Sequence, residues 1–112
     1  SSDTVLYQRV PCEKGRRYQL AAETRVWNPW SNQQMVICAS VGIDPEGGND
    51  PLARSVVWSS PTYQREKWTT LATEAVAEAD HITVYLRGYS QYARLMNTRF
   101  RNVTLTDVVQ GR

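Results

Sequence analysis

The sequence predicts an all-β protein, an antiparallel β-sandwich of about eight strands in one domain spanning residues 1–112. Apolar and polar residues alternate in several short segments, which is the period of a strand with one face on a core. Proline, glycine, asparagine and aspartate recur between these segments, where turns are expected. A length of 112 residues suits a single hydrophobic core. This pattern leaves jelly-roll and immunoglobulin topologies both open.

The first half of the chain contains three predicted strands. Thr4 to Val10 alternates weakly and is expected at a sheet edge, whereas Tyr18 to Trp27 alternates over ten residues. Val36 to Ile43 is the third strand, and it follows a loop that contains Trp30. The residues predicted to face the core are Tyr18, Leu20, Ala22, Thr24, Val26, Met35, Ile37, Ala39, Val41 and Ile43.

A loop of turn formers and carboxylates separates the third strand from a short fourth one, Ser55 to Trp58. Two prolines and a Gly-Gly pair within this loop exclude a helix. The oxygen-bearing side chains that could hold a structural calcium are Asp44, Glu46, Asn49 and Asp50. We favour the other interpretation, in which Asp and Asn side chains accept hydrogen bonds from local backbone groups of a tight connection. No other cofactor is expected.

Trp68 to Ala77 is the ambiguous segment. Its alanine and glutamate content favours a helix, whereas alternation from Leu71 to Ala77 and the pair of threonines before it favour a strand. We expect a strand, joined through the turn Glu78 to Asp80 in a hairpin with the strand His81 to Tyr89.

The last two predicted strands complete the sandwich. In His81 to Tyr89 the residues predicted to point inward are Ile82, Val84 and Leu86, and those predicted to point outward are Thr83, Tyr85, Arg87 and Tyr89. Asn97 to Thr106 closes the chain, with Phe100, Val103 and Leu105 as apolar anchors. Because Phe100 and Val103 are three residues apart, this strand needs a bulge or register break between them.

Charge and cysteine content narrow the function classes. The net charge is +2, with eleven arginines and two lysines interleaved with acids, so the basic stripe of a nucleic-acid binder is not expected. The apolar runs are too short to span a membrane. Cys12 and Cys38 could form one bridge or remain two thiols, and with one histidine in the chain they do not make a metal site.

Several short sequence motifs occur in an order that is similar to that of a known protein family. These motifs are GRRYQLAAETRVW at 15–27, GIDPEGG at 42–48, VVWS at 56–59 and HITVYLRG at 81–88. Their order resembles the galactose-binding-like jelly roll of many carbohydrate-binding modules and of uncharacterised secreted bacterial proteins. The resemblance implies a jelly-roll fold, glycan binding and an extracellular or cell-surface location. Two consecutive acids often help to hold a calcium in the closing strand of that family. Here Arg101 and Asn102 stand there, and arginine cannot ligate calcium.

Aromatic and planar polar side chains are the candidate glycan-binding residues. Flat rings pack on the C–H faces of sugars, and planar polar groups hydrogen-bond the hydroxyls. One sheet face is predicted to carry Glu23, Arg25, Trp58, Tyr85 and Arg87, with Trp27, Trp30, Tyr89 and Tyr92 at its rim or in neighbouring loops. Trp58 is equally compatible with a core position, whereas Trp68 is expected in the core.

The main hypothesis is a non-catalytic, lectin-like carbohydrate-binding module whose partner is a polysaccharide. Catalysis is not expected, because His81 follows Asp80 at a turn with no nucleophile nearby, and a sandwich this small rarely encloses a cleft for paired carboxylates. The alternative is a structural or adhesive domain that assembles as a homo-oligomer through its open edges, Thr4–Val10 and Asn97–Thr106. Because the chain begins Ser1-Ser2 without methionine, we expect a processed piece of a longer protein that contains further domains.

Overall fold

A computed structural model describes residues 2–27, 37–63, 67–90 and 97–108. These residues contain seven β-strands and no helix, which confirms the all-β prediction with seven strands where about eight were expected. The strands are β1 Ser2–Pro11, β2 Arg17–Trp27, β3 Ile37–Asp44, β4 Val57–Trp58, β5 Thr69–Val76, β6 His81–Ser90 and β7 Asn97–Asp107. In this part of the chain no helix is long and apolar enough to cross a membrane.

The strands form two antiparallel sheets that pack face to face. The four-stranded sheet has the order β1-β6-β3-β4, and the three-stranded sheet has the order β5-β2-β7. Strands β1 and β7 each lie at a sheet edge, as expected for Thr4 to Val10 and Asn97 to Thr106. Contacts of β3 with both β2 and β5 join the two sheets.

The core lies between the sheets and consists of small and medium aliphatic side chains. Its buried members are Leu20, Ala22, Val26, Ala39, Val41, Ile43, Leu71, Ala75, Ala77 and Ile82. Val84 and Leu86 are partly buried against this cluster. The predicted inward faces of β2, β3 and β6 are therefore confirmed wherever side chains are described, and neither Trp58 nor Trp68 belongs to this cluster.

The segment that was ambiguous between helix and strand is strand β5, but the expected hairpin with β6 is wrong. Strand β5 pairs with β2, whereas β6 lies between β1 and β3 in the other sheet. Residues 77–80 carry the chain from one sheet to the other. Backbone hydrogen bonds from Cys12 N to Asp80 O at 2.9 Å and from Gly15 N to Ala77 O at 2.8 Å hold this crossing. Apolar and polar residues alternate in the same way in two strands that cover one core from opposite sheets as in two strands of a hairpin. The sequence pattern therefore could not distinguish the two arrangements.

The bulge expected in the closing strand is confirmed. The register between β2 and β7 shifts where Ala21 pairs with Thr104 but Glu23 pairs with Arg101. Asn102 adopts a φ of 52° at this point, in the left-handed region that asparagine tolerates better than most residues. Val103 is 45% exposed, so its expected role as an apolar anchor is wrong. The bulge displaces it from the core, which Phe100 and Leu105 do contact.

Both cysteines are free thiols, so of the two alternatives the bridge is not formed. The Cys12 thiol donates to Ala79 O at 3.4 Å beside the sheet crossing. Cys38 belongs to β3 and has the opposite parity to the core residues of that strand. It therefore lies on the outer face of the four-stranded sheet.

Candidate functional site

Trp58 lies on the outer face of the four-stranded sheet, outside the core. It pairs with Gly42 of β3, and its indole covers that glycine. A Cβ atom on Gly42 would lie 2.7–2.9 Å from three carbon atoms of the ring. Glycine is therefore what allows the indole to rest on the sheet backbone here. The ring also packs on Tyr85, with 5.8 Å between the ring centroids.

Arg87 of β6 lies between two aromatic rings on this face. Its Cζ atom is 5.8 Å from the Trp58 ring centroid and 5.9 Å from the Tyr89 ring centroid, within cation–π range. Arg87 Nε donates to Asp3 Oδ1 at 2.8 Å and Nη2 donates to Oδ2 at 2.7 Å. These hydrogen bonds lower the pKa of Asp3 and raise that of Arg87. The two-point contact fixes the plane of the guanidinium.

A groove opens beside this arginine. It has a volume of about 350 Å³ and is lined by Cys38, Ser40, Trp58, Ser59, Pro61, Arg87 and Tyr89. That volume lies at the lower end of the roughly 300–1,000 Å³ typical of small-molecule sites. Burial raises the pKa of the Cys38 thiol, which keeps it protonated at neutral pH and a poor nucleophile. The groove thus offers aromatic rings, a fixed cation and hydroxyls.

Tyr85 lies on the same outer face, but its side chain is covered and is not accessible to a ligand. Its side chain is 0% exposed, contrary to the expected outward contact. The ring of Tyr7 packs on it with 6.1 Å between centroids, and its hydroxyl donates to Gly48 O at 3.4 Å. Burial raises the pKa of the Tyr85 hydroxyl. The loop after β3 folds back over this part of the sheet, which alternation within β6 does not reveal.

Asp44 holds that loop in place. Its carboxylate is buried, and it accepts backbone hydrogen bonds from Glu46 N at 3.0 Å and Gly48 N at 3.1 Å. Thr83 Oγ1 donates to Gly48 O at 2.6 Å, and Arg9 Nε donates to Gly47 O at 3.0 Å. An aspartate that accepts hydrogen bonds from backbone amides two and four residues later stabilises a tight connection. This is the interpretation of the loop that the sequence favoured.

The four candidate calcium ligands are not gathered around one point. Both oxygens of Asp44 accept from backbone amides, and Asp50 Oδ1 accepts from Leu52 N at 2.9 Å. Glu46 and Asn49 are exposed. Within the described ranges, no group of three or more His, Cys, Asp and Glu side chains is suited to hold a metal ion.

Glu23 and Arg25 lie on a different face from Trp58. Both belong to β2 in the three-stranded sheet and have the opposite parity to its core residues. Their side chains therefore point away from the core on the far side of the sandwich. The expectation of one face that combines them with Trp58, Tyr85 and Arg87 is wrong, because alternation indicates which residues face the core but not from which side.

Trp68 belongs to that second face, so its expected core position is also wrong. It is partly exposed, and the Arg101 Cζ atom lies 3.8 Å from its ring centroid. Arg101 Nε and Nη2 each lie 3.3 Å from a carboxylate oxygen of Glu23, and Asn102 Nδ2 also donates to Glu23. The hydrogen bonds from Asn102 and then Arg101 lower the pKa of Glu23. Trp30, Tyr92 and the side chain of Trp27 lie outside what the structure describes.

Residues of the groove that sequence patterns did not single out are Asp3, Cys38, Ser40, Ser59 and Pro61. Asp3 and Arg87 are 84 positions apart, and no local signal joins them. No protein-family model and no curated protein matches this chain. Its function is therefore inferred from the geometry of the two outer faces.

We expect Asp44→Ala to lower the free energy of unfolding by about 1–3 kcal/mol, because two backbone amides lose their buried acceptor. Urea unfolding followed by circular dichroism measures this change. Asp50→Ala is the matched control, since its hydrogen bond to Leu52 N is exposed, and it should cost less. EDTA should not alter either value. Calcium-dependent stability in the wild type that disappears in Asp44→Ala would restore the calcium interpretation.

We expect the Asp3 carboxyl to titrate below its ordinary value of 3.8 and to return toward it in Arg87→Gln. Since the folded-state pKa is the lower one, the ion pair stabilises the fold above the unfolded-state pKa, and this contribution is lost as pH falls through the folded value. Carbon-13 NMR titration measures the pKa of the Asp3 carboxyl in the wild type and in Arg87→Gln. The pKa of Glu23, set by partners on the other sheet, serves as the internal control and should not move. An unchanged Asp3 titration in Arg87→Gln would contradict the clamp.

Proposed function

We propose that this chain is a non-catalytic, lectin-like carbohydrate-binding module that binds a glycan in the groove on its four-stranded sheet. The observation that carries the proposal is the arrangement of Trp58, Arg87 and Tyr89 around a groove of about 350 Å³. Glu23, Arg25 and Tyr85 are not part of this site, for the reasons given above. His81, the one histidine, lies 3.0 Å from Asp80 at a turn and is not among the groove residues.

The groove suits a sugar because its polar and apolar groups are held before a ligand arrives. Trp58 rests on Gly42 and is fixed there, so its ring loses little freedom on packing against a C–H face of a sugar. Arg87 uses Nε and Nη2 for Asp3. Its Nη1 has no hydrogen-bond partner among the described residues, and it can donate to a hydroxyl. Ser40 adds a hydroxyl at the groove.

The proposal extends to the setting of the module. We place it in the galactose-binding-like jelly-roll class and in a larger secreted or cell-surface bacterial protein whose other domains it would serve. The two antiparallel sheets and the order of motifs given above support this assignment. The partner of the module is a polysaccharide, and no cofactor is needed for binding.

We expect Trp58→Phe to weaken glycan binding about tenfold, because phenylalanine offers a smaller ring to the sugar, and tenfold corresponds to about 1.4 kcal/mol. A glycan array identifies the ligand, and affinity gel electrophoresis in that polysaccharide measures the change. Trp68→Phe is the matched control, since it alters the same residue type on the other sheet.

Three results would count against the groove as the glycan site. They are binding to no glycan at all, equal binding by Trp58→Phe and the wild type, and an equal loss in Trp68→Phe. Unfolding curves for both variants establish that each is folded under the conditions of the binding measurement.

Assembly through sheet edges is the second candidate function, and one observation favours it. Leu6 in edge strand β1 is 64% exposed, and Val103 in edge strand β7 is 45% exposed. Apolar residues on an unpaired edge are a template for strand pairing with another chain. A structural or adhesive domain would use these edges to form a homo-oligomer.

We expect the chain to remain monomeric across concentrations in size-exclusion chromatography with light scattering, because the groove does not require a second copy. Leu6→Lys tests the edge directly, since a lysine on an edge strand opposes pairing. A stable oligomer that Leu6→Lys dissociates would favour assembly over the glycan-binding function. Leu52→Lys is the control, because Leu52 is 81% exposed in a loop rather than on an edge.

A further inference from the structure

The outer face of the three-stranded sheet carries three arginines close together at one end. Arg25 of β2 pairs in register with Arg99 of β7, and Arg101 lies two residues further along β7. Strand geometry separates the backbones of Arg25 and Arg99 by about 5 Å and those of Arg99 and Arg101 by about 7 Å. Like charges directly opposite each other on neighbouring strands are destabilising. The arrangement therefore calls for a compensating anion.

Within the described part of the chain, only Arg101 of these three has a carboxylate partner, namely Glu23. No ion pair or hydrogen bond to an acid involves the side chain of Arg25 or Arg99 in those residues. Arg25 Nε is in addition buried without a hydrogen-bond partner. Buried donors are nearly always satisfied in folded proteins, so this atom lacks a partner that the described part of the chain does not supply.

The other end of the same sheet is different. Arg16 pairs with Glu13 at 2.7 Å and with Asp107. Arg17 Nη1 lies 3.7 Å from Glu74, although Arg17 Nε also lacks a hydrogen bond. Each arginine there has an acid beside it. Among the described residues of this sheet, the positive charge without an acid partner is therefore concentrated where Arg25 meets Arg99.

We propose that Arg25, Arg99 and Arg101 form a second binding site, which takes the carboxylates of a polyuronate, an acidic polysaccharide built from uronic acids. The planar fork of arginine matches a carboxylate with two parallel hydrogen bonds, as Arg87 and Asp3 show within this chain. A carboxylate between Arg25 and Arg99 would offset their mutual repulsion. This site lies on the opposite face from the groove and does not depend on it.

Two features favour a polysaccharide over a nucleic acid. Arg101 covers a face of the Trp68 ring at 3.8 Å, so that face is not open for the base stacking that single-stranded nucleic acids need. Glu23, whose pKa is lowered by Asn102 and Arg101, is ionised at neutral pH within the cluster. Its carboxylate repels any anionic group, but it can accept hydrogen bonds from the free hydroxyls that every uronic acid unit carries and that DNA lacks along its backbone.

The test compares binding of two polymers that differ only in charge. Isothermal titration calorimetry of the wild-type chain with polygalacturonate oligosaccharides should show binding that weakens with added salt, and the carboxyl-reduced, neutral oligosaccharides should not bind. Arg25→Gln with Arg99→Gln should reduce affinity about tenfold or more, because each removes a charge-assisted hydrogen bond. Arg54→Gln removes one positive charge in an exposed loop, as Arg99→Gln alone does on the sheet, and should bind as the wild type does.

Several results would overturn the proposal. They are equal affinity of the double variant and the wild type, equal affinity for the neutral oligosaccharides, and tighter binding of a single-stranded oligonucleotide. Loss of polygalacturonate binding in Trp58→Phe would place that ligand in the groove instead and would also overturn it. Arg99→Gln alone, at an exposed position, keeps the test decisive if the double variant fails to fold, since it should still weaken binding. The glycan-array test of Trp58→Phe concerns the other face of the sandwich, so with a neutral glycan it can succeed or fail whichever of these outcomes is found.

Discussion

The two sheets meet over alternating alanine, valine, leucine and isoleucine side chains, and this constraint decides where Trp58, Trp68 and Tyr85 lie. Interiors pack densely and tolerate little change in volume, so a core built from small aliphatic side chains has no place for an indole. Trp58, Trp68 and Tyr85 accordingly lie on outer faces. A large ring on an outer face needs local partners, and the chain supplies them at each position. The proposed binding surfaces consist of these rings together with the side chains that hold them in place.

The same arrangement occurs on both outer faces. An arginine lies over an indole and is also bound by a carboxylate from a neighbouring strand. The groups are Trp58, Arg87 and Asp3 on the four-stranded sheet, and Trp68, Arg101 and Glu23 on the three-stranded sheet. The difference lies in what surrounds them. A groove with hydroxyls adjoins Arg87, whereas Arg101 adjoins two arginines that have no acid partner among the described residues. The two sites proposed above therefore differ in the charge of the ligand that each would suit.

Alternation predicted most of the strands and which of their residues face the core, because a period of two is a local property of the chain. It also predicted the break in β7, from the odd spacing of Phe100 and Val103, although Val103 itself is exposed rather than in the core. It could not predict the pairing of strands, which depends on partners far apart in sequence. The hairpin expected between β5 and β6 and the single face expected for Glu23 and Trp58 failed for this reason. The contact between Asp3 and Arg87 likewise follows from β1 pairing with β6, which neither strand shows alone.

The loop after β3 explains why the open part of the four-stranded sheet lies at one end. Asp44 is opposite Thr83 in the ladder, and Cys38 is opposite Tyr89, so the loop covers the Asp44 end and leaves the Cys38 end uncovered. Gly48 O receives hydrogen bonds from Thr83 and Tyr85, and Tyr85 in turn packs against Trp58. The buried Asp44 carboxylate thereby supports a wall of the groove through two intervening residues, Gly48 and Tyr85. Carboxylates that resemble calcium ligands in the sequence accept hydrogen bonds from the backbone here, and the proposed groove lies on the part of the sheet that this loop does not reach.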